Sequence, residues 1–486
     1  MKNYNIVWFC CDQLRYDAIG GMGNPHISTP NIERLMASGT TFERAYVQNP
    51  LCSPSRASFL TGRYPRTVRV NYNGNLVFPS DEVTVTKRLA DDGYVCGLSG
   101  KLHLTSCSKR GEQGEPYGYS FFKWSHHPYD SWEPGKHDYQ DWLREEGVDW
   151  YTEYDAPWHD WRPKKVPVEF PHRVKGIRAE YHQTTWCVNE ALNFMKQSEG
   201  RPWCVSINPF DPHPPFDPPV SYKEKLKVED MPLPLWKEGE LDNKPAAQRD
   251  SYYRQTGGGL GPASCTLSDD DKREMTRDYY AEILLIDDQL GRIIDYLEET
   301  GQRENTIIIF TSDHGEMLGD HGVYWKGGFF YEGLVHVPLI FSCPGLIKEG
   351  LRSDALVELV DIAPTLMEIT GREIPVAMQG KSLTGILTGE ADPTYHKDSV
   401  YCEYYYSAGG MHPVCATMYY DGRFKIIVHH NSDLSELYDL KNDPNEFDNL
   451  WNHPDYREIQ AEYVIKCFNQ AIENNRDRSL GNTGTF

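Results

Sequence analysis

The sequence predicts an α/β protein: a large, mostly parallel central sheet sandwiched by helices, with a smaller C-terminal subdomain of antiparallel sheet plus one helix. Three observations predict it. Short, continuous apolar runs recur at 6–11, 94–98, 203–207 and 306–310, and each closes on a polar, glycine or proline corner. Strands buried on both faces read as unbroken apolar runs, whereas a strand with one wet face alternates. Between the third run and the fourth, residues 271–300 carry Ile283, Ile286, Leu290, Ile293, Ile294 and Leu297 at helical spacing, with Gly301 behind them as a stop. Past Ser399 the texture changes to β-rich pieces at 400–406, 416–420 and 424–429 around an Asp421-Gly422 turn signal, and a helical stretch comes after them at 454–475.

In open α/β sheets, ligands bind beyond the carboxyl ends of the strands. The residues just past each run are therefore candidates for a site. The first run ends at Asp12, the second at Ser99-Gly100-Lys101, the third at Asn208-Pro209 and the fourth at Thr311-Ser312-Asp313-His314-Gly315. Asp12, Lys101, Asp313 and His314 are thus expected to share one end of the sheet. The chain has 486 residues, 39% of them hydrophobic, enough for a large core. It is expected to divide into a main domain at 1–395 and a C-terminal α+β subdomain at 396–486. Residues 105–180 and 211–265, rich in Trp, Tyr, His, Pro and Gly, read as long excursions from the sheet.

Composition excludes two kinds of partner. A formal net charge of −22 without a basic patch does not suit nucleic acid. No apolar stretch approaches the roughly 20 residues that a membrane span requires. An anion site would have to bring its own positive charge against this background. The run at 6–11 is too short for a signal-peptide core and has no small-residue cleavage site behind it, so the expected location is cytoplasmic. The twelve cysteines lack metal-type spacing and read mostly as buried free thiols.

Cys52 is the exception. It opens the run Cys52-Ser53-Pro54-Ser55-Arg56-Ala57-Ser58-Phe59-Leu60-Thr61-Gly62-Arg63. This run resembles in full the signature of the type I sulfatases of the alkaline phosphatase superfamily, in which the cysteine is oxidised to formylglycine. Thr29-Pro30-Asn31-Ile32-Glu33-Arg34-Leu35, Gly100-Lys101-Leu102-His103, Phe310-Thr311-Ser312-Asp313-His314-Gly315-Glu316 and Leu437-Tyr438-Asp439-Leu440 resemble further blocks of that family, in family order. The resemblance implies a sulfuric ester hydrolase whose nucleophile is made from Cys52 by a formylglycine-generating enzyme. An aldehyde hydrated to a geminal diol offers two hydroxyls, one to attack sulfur in line and one to expel the sulfate afterwards. One hard displacement becomes two easier ones. The backbone N–H groups of a helix starting here favour an anion. Arg56 is placed to turn back on the diol, or to serve only in recognition by the modifying enzyme.

A diol oxygen is a strong nucleophile near neutral pH only if a metal or base lowers its pKa. The resemblance implies that Asp12, Gln13, Asp313, His314 and the modified Cys52 hold one divalent cation. Many family members carry a second Asp where this chain has Gln13. An oxygen-dominated set favours Ca²⁺, with Mg²⁺ the alternative, and the imidazole of His314 keeps Mn²⁺ in play. Lys101, His103, His213 in Asp211-Pro212-His213-Pro214-Pro215-Phe216, and Lys326 in Gly322-Val323-Tyr324-Trp325-Lys326-Gly327 match family positions that contact sulfate oxygens or the leaving group. His213 or Lys326 is expected to protonate the departing alkoxide, and His103 could instead orient the diol. His321 reads as either structural or catalytic. His336 stands where an arginine is common in relatives and is expected to be a local change without altered chemistry.

Trp124, Trp132, Trp142, Trp150, Trp158 and Trp161 crowd one of the excursions. Such rings suit the faces of sugars, and equally anchor an irregular insertion. A carbohydrate sulfate ester, small or oligosaccharide, is the leading substrate class, ahead of an aryl or alkyl sulfate. The alternative activity is a phosphonate monoester or phosphodiester hydrolase, since relatives of that kind share the pairing at Asp12-Gln13 and an Asp-His metal pair. A reading from another class is a non-catalytic anion-binding protein with an unmodified Cys52. The polar tail at 476–486 leaves a homo-oligomer open.

Overall fold

The computed structural model describes residues 3–107, 111–127, 132–149, 176–198, 200–253, 261–408, 413–430, 432 and 434–476. Nine strands form the central sheet: β1 (Asn5–Cys11), β2 (Gly39–Tyr46), β3 (Val95–Gly100), β4 (Tyr119–Trp124), β5 (Trp203–Asn208), β6 (Thr306–Ser312), β7 (His336–Val337), β8 (Leu339–Ser342) and β9 (Leu351–Glu358). Their order is β4-β3-β5-β1-β6-β8-β2-β7, with β9 paired to β2. β1 pairs in parallel with β5 and β6, and β3 in parallel with β4 and β5. β8 runs antiparallel to both β6 and β2. Every residue of β1, β5 and β6 is buried, which is why those strands read as unbroken apolar runs.

β4 departs from the expectation. It falls inside the stretch read as an excursion, yet it extends the main sheet as an edge strand beside β3. An edge position leaves Ser120 exposed and residues 121–123 only partly buried, so polar residues interrupt the apolar run that would have announced a strand.

Six helices build the core and the site: α1 (Pro30–Ala37), α2 (Cys52–Thr61), α3 (Gln183–Gln197), α4 (Asp269–Glu299), α5 (Ile362–Ile369) and α6 (Arg457–Asn474). α4 begins in a capping box between Ser268 and Asp271 and stops short of Gly301, whose φ of +66° suits glycine. The sheet separates two apolar clusters. Ile6, Trp8, Ile307 and Ile309 face one, with Ala57 and Phe59 of α2 and Leu366 of α5. Val7, Phe9, Ile308 and Phe310 face the other, with Trp186 of α3 and Ile283, Ile286 and Leu290 of α4. Neighbouring residues on one strand thus enter opposite cores, as the two-residue period of a strand requires.

A second sheet comes next in the chain, with β10 (Val400–Tyr405), β11 (Cys415–Tyr420), β12 (Phe424–His429) and β13 (Glu436–Asp439) antiparallel in that order. α6 covers it, packing Tyr463 and Cys467 against Tyr419, Phe424 and Ile426. β13 is a strand that the periodicity does not announce, because four residues are too few to show one. No helix among the described residues is long and apolar enough to cross a membrane. The cysteines are free thiols, all buried except Cys265 and Cys415.

Candidate active site

The loops leaving β1, β3, β5 and β6 are joined by their own backbones. Asp12 N donates to Asp211 O at 3.2 Å, Asp313 N to Cys11 O at 3.2 Å, and Lys101 N to Asn208 O at 2.8 Å. The parallel ladder therefore runs about one residue past the strands and sets Asp12, Lys101 and Asp313 side by side at the carboxyl end of the sheet.

Cys52 enters from α2 as that helix's first residue, in a segment whose ten residues are all buried. Leu51 provides no side-chain cap, and of the first-turn donors Ser53 N is taken by Asn73 Oδ1 at 3.0 Å. Polar groups converge on the Cys52 Sγ: Lys326 Nζ at 3.0 Å, His314 Nε2 at 3.2 Å, Lys101 Nζ at 3.5 Å and Asp12 Oδ1 at 3.6 Å. Burial and Asp12 push this thiol's pKa up, but Lys101, Lys326 and His314 outweigh them and bring it down to about 5. The position favours an anion on residue 52, whatever atom carries it.

Each charged partner is itself held. Asp12 is fully buried, which opposes its charge, yet Lys101, His213, Lys326 and Arg56 keep it well below the usual carboxylate range. The Lys101 ammonium hydrogen-bonds Asp12 Oδ2 directly and lies 5.2 Å from the centre of the Phe210 ring. Burial disfavours the Lys101 charge, but Asp12 and Cys52 raise its pKa overall. Arg56 is fully buried beside the site, and Cys52 is among the groups that favour its charge. Its guanidinium bonds Asp313 Oδ2 at 2.8 Å and Lys101 O at 3.0 Å, and lies 3.6 Å from Asp12 Oδ2. It braces three strand-end loops. His314 directs Nδ1 at Gly315 O, 2.8 Å away, which leaves Nε2 for the site.

The donor set fits a cation. Ligand atoms of Asp12, Cys52, Asp313 and His314 lie within 4.8 Å of one another, all buried. Gln13 is also buried, and its Oε1 has no hydrogen-bond partner among the described residues, as a carbonyl reserved for a ligand would be. Its Nε2 donates to Glu316, which also accepts from Leu318 N and Trp325 N. Glu316 thereby ties Gln13 to the loop that presents Lys326. Its sequence context assigns Glu316 no task of this kind; a place three residues past Asp313 was the available signal.

His213 sits half-buried after β5, its Nδ1 2.6 Å from Pro214 O and its ring 4.4 Å from that of Phe210. Burial, with Lys326 next, holds its pKa well below the ordinary value despite Asp12. His103 lies beside Lys101 and forms a ring contact with His126 at 4.6 Å. His126 and His127, which sit in no motif of the sequence, join this wall, with His127 5.8 Å from His213.

Three expectations lead away from the site. His321 bonds Glu240 Oε1 at 2.6 Å and stacks on Tyr331 at 3.9 Å, a structural arrangement. His336 stacks between Tyr16 and Tyr46 at 4.0 and 5.1 Å, with its Nε2 2.8 Å from Glu43 O. Trp124 and Trp132 are buried against each other, edge to face at 5.3 Å, and Trp142 packs on the core, so these three rings anchor their segment. Trp150, Trp158 and Trp161 lie outside the described residues.

A family model for sulfatases matches residues 4–372, and one for the C-terminal region of N-sulphoglucosamine sulphohydrolase matches 319–473. The chain belongs to the sulfatase family. It is a sulfuric ester hydrolase. An arylsulfatase of Clostridium perfringens is 30% identical over 96% of this chain and 94% of its own length. An N-acetylglucosamine-6-O-sulfatase of Bacteroides thetaiotaomicron is 30% identical over 95% and 85%. Among solved structures, a phosphonate monoester hydrolase from Silicibacter pomeroyi superposes with a TM-score of 0.80 at 25% identity, covering 98% of this sulfatase and 97% of that chain. A protein in complex with its substrate D-glucosamine-2-N,6-O-disulfate gives 0.74 at 25%, covering 99% and 100%.

Proposed function

We propose that this sulfatase hydrolyses a carbohydrate sulfate ester, using residue 52 as formylglycine and one divalent cation held by Asp12, Gln13, Asp313, His314 and residue 52. The observation that carries the reading is the convergence of two ammonium groups and an imidazole on Cys52 Sγ, at 3.0 to 3.5 Å. That sulfur stands in for the oxygens that the same Cβ would bear after oxidation. A bound cation, Ca²⁺ by its oxygen-rich donors, would lower the pKa of a hydroxyl there and draw charge from the sulfate.

The remaining work falls to the chain itself. Arg56 holds Asp313 and the Lys101 carbonyl, so the donors are organised before substrate arrives. Lys101 and Lys326 are the groups that would clamp non-bridging sulfate oxygens in a site where water is excluded. With its Nδ1 hydrogen directed at Pro214 O, His213 has Nε2 left for a leaving group. It rests neutral, and an anionic substrate would favour the proton that it must give to the leaving oxygen.

Sugar sulfates are supported by the N-acetylglucosamine-6-O-sulfatase relative and the glucosamine disulfate complex. A phosphonate monoesterase is the second reading, favoured by Gln13 and by the fold similarity to such an enzyme. The deciding experiment co-expresses the chain with a formylglycine-generating enzyme, checks the Cys52 peptide by mass spectrometry, and assays sulfated mono- and disaccharides beside aryl sulfate and aryl phosphonate. Sulfate release from a sugar is expected. A fully modified enzyme that turns over only aryl substrates would remove the carbohydrate assignment, and an intact thiol in every preparation would restore the anion-receptor reading.

A further inference from the structure

A second set of ligand-type side chains lies beside the active-site loops. His103, Cys107 and His126 each offer a ligand atom, and these atoms lie within 4.8 Å of one another. All three residues are more than nine-tenths buried, with exposures of 7%, 8% and 3%. Two ring nitrogens, Nδ1 of His103 and Nε2 of His126, have no hydrogen-bond partner among the described residues. A buried polar atom left unpaired keeps its full desolvation cost, so two in one spot require a reason.

The surrounding structure holds the backbones and leaves the side chains unspent. β3 and β4 are parallel neighbours with Gly100 opposite Trp124, and Ser125 N donates to Gly100 O at 3.0 Å. Their two loops therefore leave the sheet side by side. Glu112 fixes the first loop, accepting from His103 N and Leu104 N at 2.7 Å and from Thr105 N at 3.0 Å. His126 N is held by His137 Nε2 at 3.0 Å. His103 adopts a φ of +56°, a left-handed conformation that a non-glycine residue keeps only when its surroundings impose it. The Cys107 thiol makes long contacts, 3.5 Å to Thr105 O and 3.8 Å to Glu112 Oε2.

We propose that His103, Cys107 and His126 bind one thiophilic transition-metal ion of the zinc type, at a site separate from the oxygen-rich Asp12, Asp313 and His314 set. Two imidazoles and a thiolate match zinc and disfavour calcium or magnesium. The thiol proton leaves to solvent as the ion binds. Three protein ligands leave a fourth position for water. The ion staples the loop bearing Lys101 and His103 to the end of β4, and fixes which His103 nitrogen faces the active site. None of this depends on the substrate proposed above.

Cobalt titration of the metal-free, full-length Cys52→Ser protein tests it, because that background lacks the thiol of the other cluster. One equivalent of Co²⁺ should produce a thiolate-to-cobalt charge-transfer band with strong tetrahedral d–d bands, and Zn²⁺ should bleach both. The charge-transfer band should vanish in Cys52→Ser/Cys107→Ser. His126→Gln in the same background should weaken cobalt binding at least tenfold, which covers the case in which the Cys107 variant folds poorly. Absence of the thiolate band in Cys52→Ser, or its survival without Cys107, overturns the proposal.

Discussion

Two of the regions that bury charge differ in the sign of what is left over. Where β10–β13 meet the main sheet, Lys425 bridges Glu332 at 2.5 Å and Glu446 at 2.7 Å, and Lys397 bridges Glu358 at 2.5 Å and Asp361 at 2.7 Å. Each cation there satisfies two carboxylates. At the carboxyl end of β1, β3 and β6 the ratio reverses: Lys101, Lys326 and Arg56 face Asp12 and Asp313. The first arrangement is closed on itself. The second sets three cations against two carboxylates and balances them only with the anion that residue 52 favours, inside a chain whose net charge is −22. Buried ions of either kind are costly to desolvate, so a surplus cation is informative where a satisfied one is not.

The contrast breaks most sharply at residue 52. Cys52→Ala should lower sulfate-ester turnover by about 10⁴-fold or more, the scale expected when a nucleophile is removed. Thermal unfolding should stay within a few degrees of the parent, since no interface charge is touched. A variant retaining a tenth of parental turnover would mean that residue 52 does not attack.

Two lysines then exchange predictions. Lys425→Met leaves the buried Glu446 without its cation and the part-buried Glu332 with His336 alone, and urea unfolding should show a loss of about 3–5 kcal/mol. Turnover per folded molecule should not change. Lys326→Ala should do the opposite, costing about 100-fold in kcat/KM by removing an electrostatic clamp, with little change in the urea midpoint. If Lys326→Ala destabilised the fold as much as Lys425→Met does, the distinction between surplus and satisfied charge would be wrong.

The two regions also differ in how visible they are in the sequence. Asp12, Lys101 and Asp313 can be placed together because β1, β3 and β6 are buried strands whose apolar runs stop abruptly at those residues. Their shared position follows from parallel topology alone. The bond between Gln13 and Glu316 cannot be read, since it joins residues about three hundred positions apart in the chain and neither breaks a local pattern. The cluster of His103, Cys107 and His126 is hidden for a related reason: it exists only because β4 pairs with β3, and the polar edge strand β4 is not legible. At the interface, Lys425 and Glu446 are ordinary charged residues in sequence, and only the docking of the second sheet buries them.

The smallest effect is a matter of pH. Burial opposes the charge on Asp361, but Lys397 and His396 overcome it and bring the carboxyl down to about 2, against about 3.9 in an unfolded chain. A depressed carboxylate contributes stability that is fully present above the unfolded value and is lost as pH falls through the folded one. The contribution is about 2.6 kcal/mol, and its loss should appear as a steepening fall of the urea midpoint between about pH 4 and pH 2. Asp361→Asn removes the titrating group and should flatten that limb while lowering stability at neutral pH. Equal slopes in the two proteins would show that the interface pair is not what holds the second sheet in place under acid, and that its charges are as open to solvent as those of the site are not.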